Sequence, residues 1–151
     1  MKLFAAIVTL ILATLIAAQQ PVFTNCAAST AEFTVASFSI FPHPACVSQN
    51  VCVTITGMLS APITAGAKVT IVGRYLGRVV YTDNQDLCAL SAAQGNPCPL
   101  PVSLTSLTVC VLVKTNAPVG IPVTISISAT NGNGNPLFCQ SATVQFQNCP
   151  I

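Results

Sequence analysis

The chain has 151 residues, of which 52% are hydrophobic and 5% are charged. Five basic and three acidic side chains give a formal net charge of +2, which is too little positive charge for a nucleic-acid-binding surface. The length suits one domain with a sizeable hydrophobic core.

The first residues, MKLFAAIVTLILATLIAA, have the pattern of a secretory signal peptide. One lysine precedes an apolar run from Leu3 to Ile16, and two small residues follow it. A membrane anchor is the weaker alternative, because the apolar run is short for a bilayer span. We therefore expect a signal peptide at residues 1–18 and a mature domain at residues 19–151. Such a domain is secreted or delivered to a vacuolar or lysosomal lumen.

A period of two in hydrophobicity, typical of strands with one buried and one solvated face, occurs along most of the chain. It is clear in CVTITGML, TVCVLVK, VTISISAT and SATVQFQ. The residues of these four segments that are predicted to face inward are Val53, Ile55, Leu59, Val109, Val111, Val113, Val123, Ile125, Ile127, Ala129, Val144 and Phe146.

The segment KVTIVGRYLGRVVYT has two possible phases. The phase that we favour turns inward Val69, Ile71, Tyr75 and Val79. The other phase turns inward Val72, Leu76 and Val80, but also Arg74 and Arg78. A β-bulge at Gly73 or Gly77 would accompany the first phase.

Turn-forming stretches such as PHPAC, SAPITAG and NGNGNP separate the strands, and Asn-Gly pairs favour a tight hairpin turn. The one helical segment that we expect is DLCALSAAQ, with Asp86 capping its first amides. Six or seven short strands with almost no helix predict an all-β fold. The most suitable architecture is an immunoglobulin-like antiparallel β-sandwich of two sheets.

Eight cysteines lie in the expected mature domain: Cys26, Cys46, Cys52, Cys88, Cys98, Cys110, Cys139 and Cys149. Cysteines of secreted proteins normally form disulfides. A zinc site would require CxxC pairs or nearby histidines, and the sequence has one histidine, His43. We therefore expect disulfides and no metal site, with the pairing left open by spacing alone.

The residues that could support catalysis are few. His43 lies between two prolines and is expected to be a solvated turn residue. Asp83 and Asp86 are expected to lie in a solvated loop with one helix cap, because a calcium site needs more oxygen ligands than two carboxylates supply. Without a nucleophile–base pair or a phosphate-binding loop, we expect neither an enzyme nor a cofactor.

Four segments occur in an order that resembles the ML (lipid-recognition) domain family. They are FTNC at residues 23–26, PHPAC followed by Cys52, DLC leading to NPCPL, and NPLFC at residues 135–139. This family includes sterol carriers, mite group 2 allergens and fungal phosphatidylglycerol/phosphatidylinositol transfer proteins. The stretch GRYLGRVVYTDNQDLC is most similar to the fungal transfer proteins. The resemblance implies two sheets that enclose an apolar cavity for acyl chains.

The resemblance also implies a disulfide scheme. By position it pairs Cys26 with Cys139, Cys46 with Cys52, and Cys88 with Cys98. The remaining two cysteines, Cys110 and Cys149, lie outside the six that are usual in the family. We expect them to form a fourth bridge, with a free thiol as the alternative. The Cys88–Cys98 loop would lie beside the cavity mouth, or it would be a disulfide-closed surface loop without a role at the cavity.

The inward rows are then the expected lipid-binding residues: Val53, Ile55, Leu59, Val69, Ile71, Tyr75, Val111, Val113, Ile125, Ile127, Val144 and Phe146. The same rows would also suit an ordinary packed core. Three cations, Lys68, Arg74 and Arg78, are candidates to bind an anionic head group, although they could equally serve to keep a sparsely charged surface soluble.

The expected function is a secreted or vacuolar carrier that binds a lipid and transfers it between membranes as a monomer. Its partners are a lipid ligand and, transiently, a membrane surface. Phospholipid is favoured over sterol because Ala117 stands where the sterol carriers have an aromatic residue. A sterol carrier, a lipid-sensing module and a surface-active coat protein are the alternatives. The last is disfavoured because no two cysteines are adjacent.

Overall fold

A computed structural model describes residues 19–150. The expected signal peptide lies outside the described residues, as does Ile151. In chain order the elements are β1 (Thr24–Asn25), β2 (Phe33–Phe41), β3 (Ala45–Cys46), β4 (Asn50–Leu59), β5 (Lys68–Tyr75), β6 (Arg78–Asp86), α1 (Leu87–Ala93), β7 (Ser106–Leu112), β8 (Pro122–Thr130) and β9 (Pro136–Gln147).

The strands form two facing sheets. The six-stranded sheet has the order β1-β9-β8-β5-β6, and β3 pairs with β9 in parallel. The three-stranded sheet has the order β2-β4-β7, and all other pairs in both sheets are antiparallel. Two strands have only two residues each, and the other seven have at least seven. The predicted all-β, immunoglobulin-like sandwich is confirmed.

The predicted alternation is confirmed in the four clearest strands. In β8, Val123, Ile125, Ile127 and Ala129 are buried, and the side chains between them are exposed or half-buried. Strands β4, β7 and β9 show the same pattern. Two sheets with one apolar face each bury those faces against each other, and this contact forms the core.

The β5–β6 hairpin departs from the predicted phase at its tip. The register shifts between Gly73 and Arg74, so the bulge predicted at Gly73 is confirmed. Val69 and Ile71 are buried as predicted, but Tyr75 is half-buried. Val79, predicted to face inward, is 55% exposed. This prediction was wrong because Val79 lies beside the hairpin turn, whose residues 76–78 are all exposed.

The predicted helix is present as α1. The Oδ1 atom of Asp86 accepts a hydrogen bond of 3.0 Å from the amide of Ala89, which confirms the predicted N-cap. Within residues 19–150, no helix has the length and apolarity needed to cross a bilayer.

The cysteines form four disulfides, and two of the expected pairs are wrong. Cys26–Cys139 and Cys88–Cys98 are confirmed. In place of the expected Cys46–Cys52 and Cys110–Cys149 bridges, the structure contains Cys46–Cys149 and Cys52–Cys110. Cys52 and Cys110 lie directly opposite each other on β4 and β7, with their Cα atoms 3.9 Å apart. The expected scheme failed because the pairing of β3 with the end of β9, which brings Cys46 beside Cys149, was not predicted.

Candidate functional site

A cavity of about 40 Å³ lies between the two sheets. Both sheets supply side chains to it, and apart from the hydroxyl of Tyr81 the lining side chains are aliphatic or aromatic. The lining residues are Ile40, Ala45, Val51, Val53, Ile71, Tyr81, Val113, Ile125, Ile127, Val144 and Phe146.

Most of the predicted lipid-binding residues surround this cavity. Those that line it are Val53, Ile71, Val113, Ile125, Ile127, Val144 and Phe146. Four others, Ile55, Leu59, Val69 and Val111, are buried in the packed core outside the lining. Tyr75 is half-buried and does not line the cavity. That any of these side chains contacts lipid stays a prediction.

Sequence reasoning missed four lining residues: Ile40, Ala45, Val51 and Tyr81. Two of them had a usable signal, because Val51 is in phase with Val53 and Tyr81 follows the alternation of β6. Ile40 and Ala45 flank the PHP turn, which was treated as a connection between strands. The short strand β3 places Ala45 beside Phe146 of β9, a contact that no local pattern indicates.

The cavity is much smaller than a lipid. An apolar cavity of roughly 150 Å³ holds a molecule the size of benzene. A volume of about 40 Å³ is close to that of a single water molecule in the liquid, which is about 30 Å³. An acyl chain can therefore occupy this space only if the two sheets move apart.

The four disulfides permit that movement. Cys26–Cys139 and Cys46–Cys149 link parts of the six-stranded sheet and its C-terminal extension. Cys52–Cys110 links two strands of the three-stranded sheet, and Cys88–Cys98 closes a loop between α1 and β7. Thus no disulfide within residues 19–150 joins a strand of one sheet to a strand of the other.

One long edge of the sandwich is closed by aromatic side chains. The rings of Phe23 and Phe38 have centroids 4.6 Å apart, and Phe38 lies 6.2 Å from Phe138 of β9. The ring of Phe33 also packs on Phe138, with the two centroids 6.4 Å apart. Aromatic pairs at these separations are stabilised by dispersion and by burial of apolar area. Aromatic packing is therefore the main side-chain contact at this edge.

The opposite edge, between β6 and β7, is closed by polar contacts. The Nζ atom of Lys114 lies 2.6 Å from Oδ1 of Asp83. Gln85 donates from Nε2 to both oxygens of the same carboxylate, at 3.1 and 3.0 Å. The backbone amide of Lys114 donates to the hydroxyl of Tyr81 at 3.5 Å. This cluster contradicts the expectation that Asp83 lies in a solvated loop.

The pKa values of this cluster have identifiable causes. Burial raises the pKa of Asp83, but hydrogen bonds from Lys114 and Gln85 lower it and outweigh burial, so the pKa lies below its ordinary value. The hydrogen bond to Asp83 raises the pKa of Lys114. Burial likewise raises the pKa of Tyr81. Asp83 and Lys114 therefore form a charged pair at neutral pH.

A second polar cluster lies where the NGNGNP loop meets the segment before β2. Glu32, only 7% exposed, accepts hydrogen bonds from the Nδ2 atoms of Asn131, Asn133 and Asn135 at 2.6, 2.8 and 2.8 Å. These bonds, led by that from Asn131, lower the pKa of Glu32. Since Glu32 leads into the three-stranded sheet and the loop joins β8 to β9, this cluster ties the two sheets together.

The three predicted head-group cations do not form one group. Arg74 and Arg78 are exposed at the β5–β6 turn. Lys68 begins β5, pairs in register with Asp86 and lies roughly 20 Å along the strand from Arg74. Within this hairpin Ile71 and Tyr81 line the cavity, and Tyr81 pairs with Gly73, the neighbour of Arg74. The two arginines therefore lie nearer than Lys68 to Tyr81.

Neither the Cys88–Cys98 loop nor His43 lines the cavity. The Cys88–Cys98 loop follows β6 at the end of the sheet where β5 begins, and no residue of 86–101 lines the cavity. Of the two alternatives for this loop, a surface disulfide loop without a role at the cavity is the one that agrees with this lining. His43 is half-buried rather than solvated, burial lowers its pKa, and its Nδ1 atom has no hydrogen-bond partner among residues 19–150.

An antiparallel sandwich with apolar side chains of both sheets around an inner cavity defines a class of β-sandwich suited to apolar ligands. The sequence matches the model of the ML domain over residues 21–146, and the chain therefore belongs to the ML-domain family, a family of lipid-binding proteins. Among curated proteins, no sequence match reaches significance.

Solved structures support the fold. A Niemann-Pick type C2 protein from Japanese carpenter ant superposes with a TM-score of 0.63 at 15% identity, covering 83% of this chain and 99% of that chain. Chicken MD-1 complexed with lipid IVa gives 0.51 at 13% identity, covering 82% and 86%. The C-terminal domain of wzt gives 0.54 at 12% identity, covering 86% and 80%.

Proposed function

We propose that the protein is a lipid carrier that takes acyl chains between its two sheets and transfers the lipid from one membrane to another. The observation that carries this proposal is the combination of an apolar inner lining with disulfides that leave the sheets free to separate. Each methylene moved out of water is stabilised by about 0.8 kcal/mol. A lining of Val, Ile and Phe provides this without an unsatisfied donor or acceptor.

A phospholipid is the proposed ligand, with phosphatidylglycerol or phosphatidylinositol first. Ala117 is 5% exposed and presents a methyl group where the resemblance leads us to expect an aromatic residue in a sterol carrier. The arginines at the β5–β6 turn would favour an anionic head group. Chicken MD-1, of similar fold, has been solved in complex with lipid IVa, and this supports a lipid as the ligand. A sterol is the alternative ligand.

Contact with a membrane surface is proposed for the β5–β6 turn. Leu76 and Gly77 form this turn with φ angles of 49° and 76°, and Leu76 is 84% exposed. A leucine in this left-handed conformation is strained, since glycine or asparagine would adopt it at lower cost. Arg74 and Arg78 flank the leucine, so the turn offers an apolar tip between two cations to an anionic bilayer.

The remaining parts of the proposal concern setting and assembly. Four disulfides suit an extracellular or lysosomal lumen, and the expected signal peptide would deliver the protein there. We propose a monomer that acts by binding and not by catalysis. A lipid-sensing module of the same fold is the second candidate function, and it differs from a carrier in not returning its ligand to membranes.

Two measurements test the proposal. Native mass spectrometry of the protein purified without detergent is expected to show a complex with one phospholipid mass. A vesicle-to-vesicle assay with pyrene-labelled phosphatidylglycerol is then expected to show transfer that increases with protein concentration. A lipid-bound protein that does not speed transfer would favour the sensor. A protein that neither carries nor transfers phospholipid or sterol would contradict the proposal.

A further inference from the structure

The Asp83–Lys114 pair connects the edges of the two sheets. β6 is the last strand of the six-stranded sheet, and β7 is the last strand of the three-stranded sheet. Asp83 belongs to β6, and Lys114 follows β7 by two residues. Their salt bridge is the single ion pair found between side chains of residues 19–150. We name the region between β6 and β7, with Tyr81, Asp83, Gln85, Val113 and Lys114, the polar edge.

The two members of the pair differ in their access to solvent. The side chain of Asp83 is 2% exposed, whereas that of Lys114 is 45% exposed. Besides Asp83, the ammonium group of Lys114 donates to the backbone carbonyl of Thr82 at 3.3 Å. Lys114 can therefore reach an outside anion without leaving the polar edge, while the Asp83 carboxylate is confined to it.

The polar edge is also the border of the cavity. Val113 precedes Lys114 in the chain and lines the cavity, and so does the ring of Tyr81, whose hydroxyl accepts from the Lys114 amide. The cation of Lys114 therefore belongs to the residue directly after Val113 of the apolar lining. A lipid with its chains among these side chains would have its head group beside Lys114.

The other contacts between the sheets are less suited to exchange with a ligand. The opposite edge is held by the rings of Phe23, Phe38 and Phe138, which offer no hydrogen-bond donor or positive charge to an anion. The cluster around Glu32 is buried, with three amide donors on one carboxylate. At the polar edge, by contrast, an incoming anion can take the place of the Asp83 carboxylate beside Lys114.

We propose, on the basis of the carrier function proposed above, that lipid enters at the polar edge and that Lys114 binds the phosphate of an anionic phospholipid head group. Asp83 holds Lys114 until the phosphate displaces its carboxylate. The edge then opens, and the released carboxylate gains water, so no buried charge is left unpaired. The pair keeps the sheets together without ligand. It also selects for a head group with a net negative charge, because in phosphatidylcholine the choline cation offsets the phosphate charge that Lys114 would bind.

Lys114→Met and Asp83→Asn separate the two roles. The assay compares transfer of pyrene-labelled phosphatidylglycerol and phosphatidylcholine with identical acyl chains. Lys114→Met is expected to reduce the preference for phosphatidylglycerol by about three- to fivefold, the effect of one partly exposed ion pair. Asp83→Asn frees Lys114 and is expected to speed transfer of both lipids. Lys68→Met, which removes an exposed cation at the far end of β5, should leave the preference unchanged.

The outcomes are distinguishable. A wild-type protein that transfers neither lipid contradicts the carrier function itself. A wild-type protein that transfers lipid, while Lys114→Met keeps the full preference, overturns Lys114 as the head-group site. Unchanged rates in Asp83→Asn overturn the release step. Because Lys114→Met leaves Asp83 unpaired and could unfold, the double variant Asp83→Asn/Lys114→Met removes both charges and must show the same reduction in preference.

Discussion

Nδ2 of Asn131 donates a hydrogen bond of 2.6 Å to Oε2 of Glu32, although the two residues are 99 positions apart. The same asparagine donates to the carbonyl of Pro62 and accepts from the amides of Thr64 and Gly132. Its side chain thus joins the loop after β4, the loop after β8 and the segment before β2. This end of the sandwich is held by one buried hydrogen-bonded network.

Glu32→Gln tests the contribution of this network to stability. The new amide group brings donors towards the asparagine donors, so one or more buried groups lose their partners. We expect the free energy of unfolding at pH 7 to fall by about 1–3 kcal/mol, measured by urea denaturation. Glu32→Gln with wild-type stability would show that the network is not required.

The same carboxylate predicts a pH dependence. The pKa of Glu32 in the folded protein lies below its ordinary value of 4.5, so the charged form favours the folded state. Its contribution is complete above that ordinary value and is lost as pH falls through the lower folded pKa. Urea unfolding between pH 7 and pH 3 should show this loss, and Glu32→Gln should show a smaller one. Equal losses in both proteins would contradict the assignment.

Cys52→Ala distinguishes the two disulfide schemes. In the structure the partner of Cys52 is Cys110, so the variant should have one free thiol at Cys110. The scheme implied by family resemblance would free Cys46 instead. Labelling with iodoacetamide, followed by peptide mass spectrometry without reduction, identifies the modified residue. Because the bridge closes a separation of 58 residues, its loss should cost about 2–4 kcal/mol of stability.

Val144→Phe and Val69→Phe separate the cavity from the packed core. Both valines are buried in the six-stranded sheet, but only Val144 lines the cavity. Each phenylalanine adds volume to the interior and should cost about 1–3 kcal/mol of stability. Val144→Phe should strongly slow lipid transfer, and Val69→Phe should not. Equal transfer by the two variants would show that this cavity is not where the chains bind.

Leu76→Asn tests the β5–β6 turn as the membrane contact. Asparagine tolerates the positive φ at this position, so we expect a gain of about 1 kcal/mol in stability. Loss of the apolar tip should weaken sedimentation with phosphatidylglycerol vesicles by about five- to tenfold. Met58→Asn is the matched control, since Met58 is 69% exposed on a different strand. A more stable Leu76→Asn protein with full vesicle binding would exclude the turn.

The features that sequence reasoning found are those that depend on neighbouring residues. The alternation in β8 follows from burial of one sheet face, and the capping of α1 by Asp86 involves residues three apart. Both are local, so a short segment contains the whole pattern.

The features that were missed depend on contacts between distant parts of the chain. Asp83 was assigned to a solvated loop because its partner, Lys114, lies 31 positions away, just after the edge strand of the other sheet. Glu32 had no local signal at all, since its amide donors are about 100 residues away. The phase of Val79 failed for a related reason, because a strand pattern does not show where the covering sheet stops.

The arrangement of the disulfides has a consequence for the oxidised protein. Each covalent bridge stiffens one sheet or one connection, and none resists motion perpendicular to the sheets. Disulfide formation would therefore fix the shape of each sheet. The separation between the two sheets would depend only on non-covalent contacts. Covalent stability within each sheet is thus compatible with motion of one sheet relative to the other.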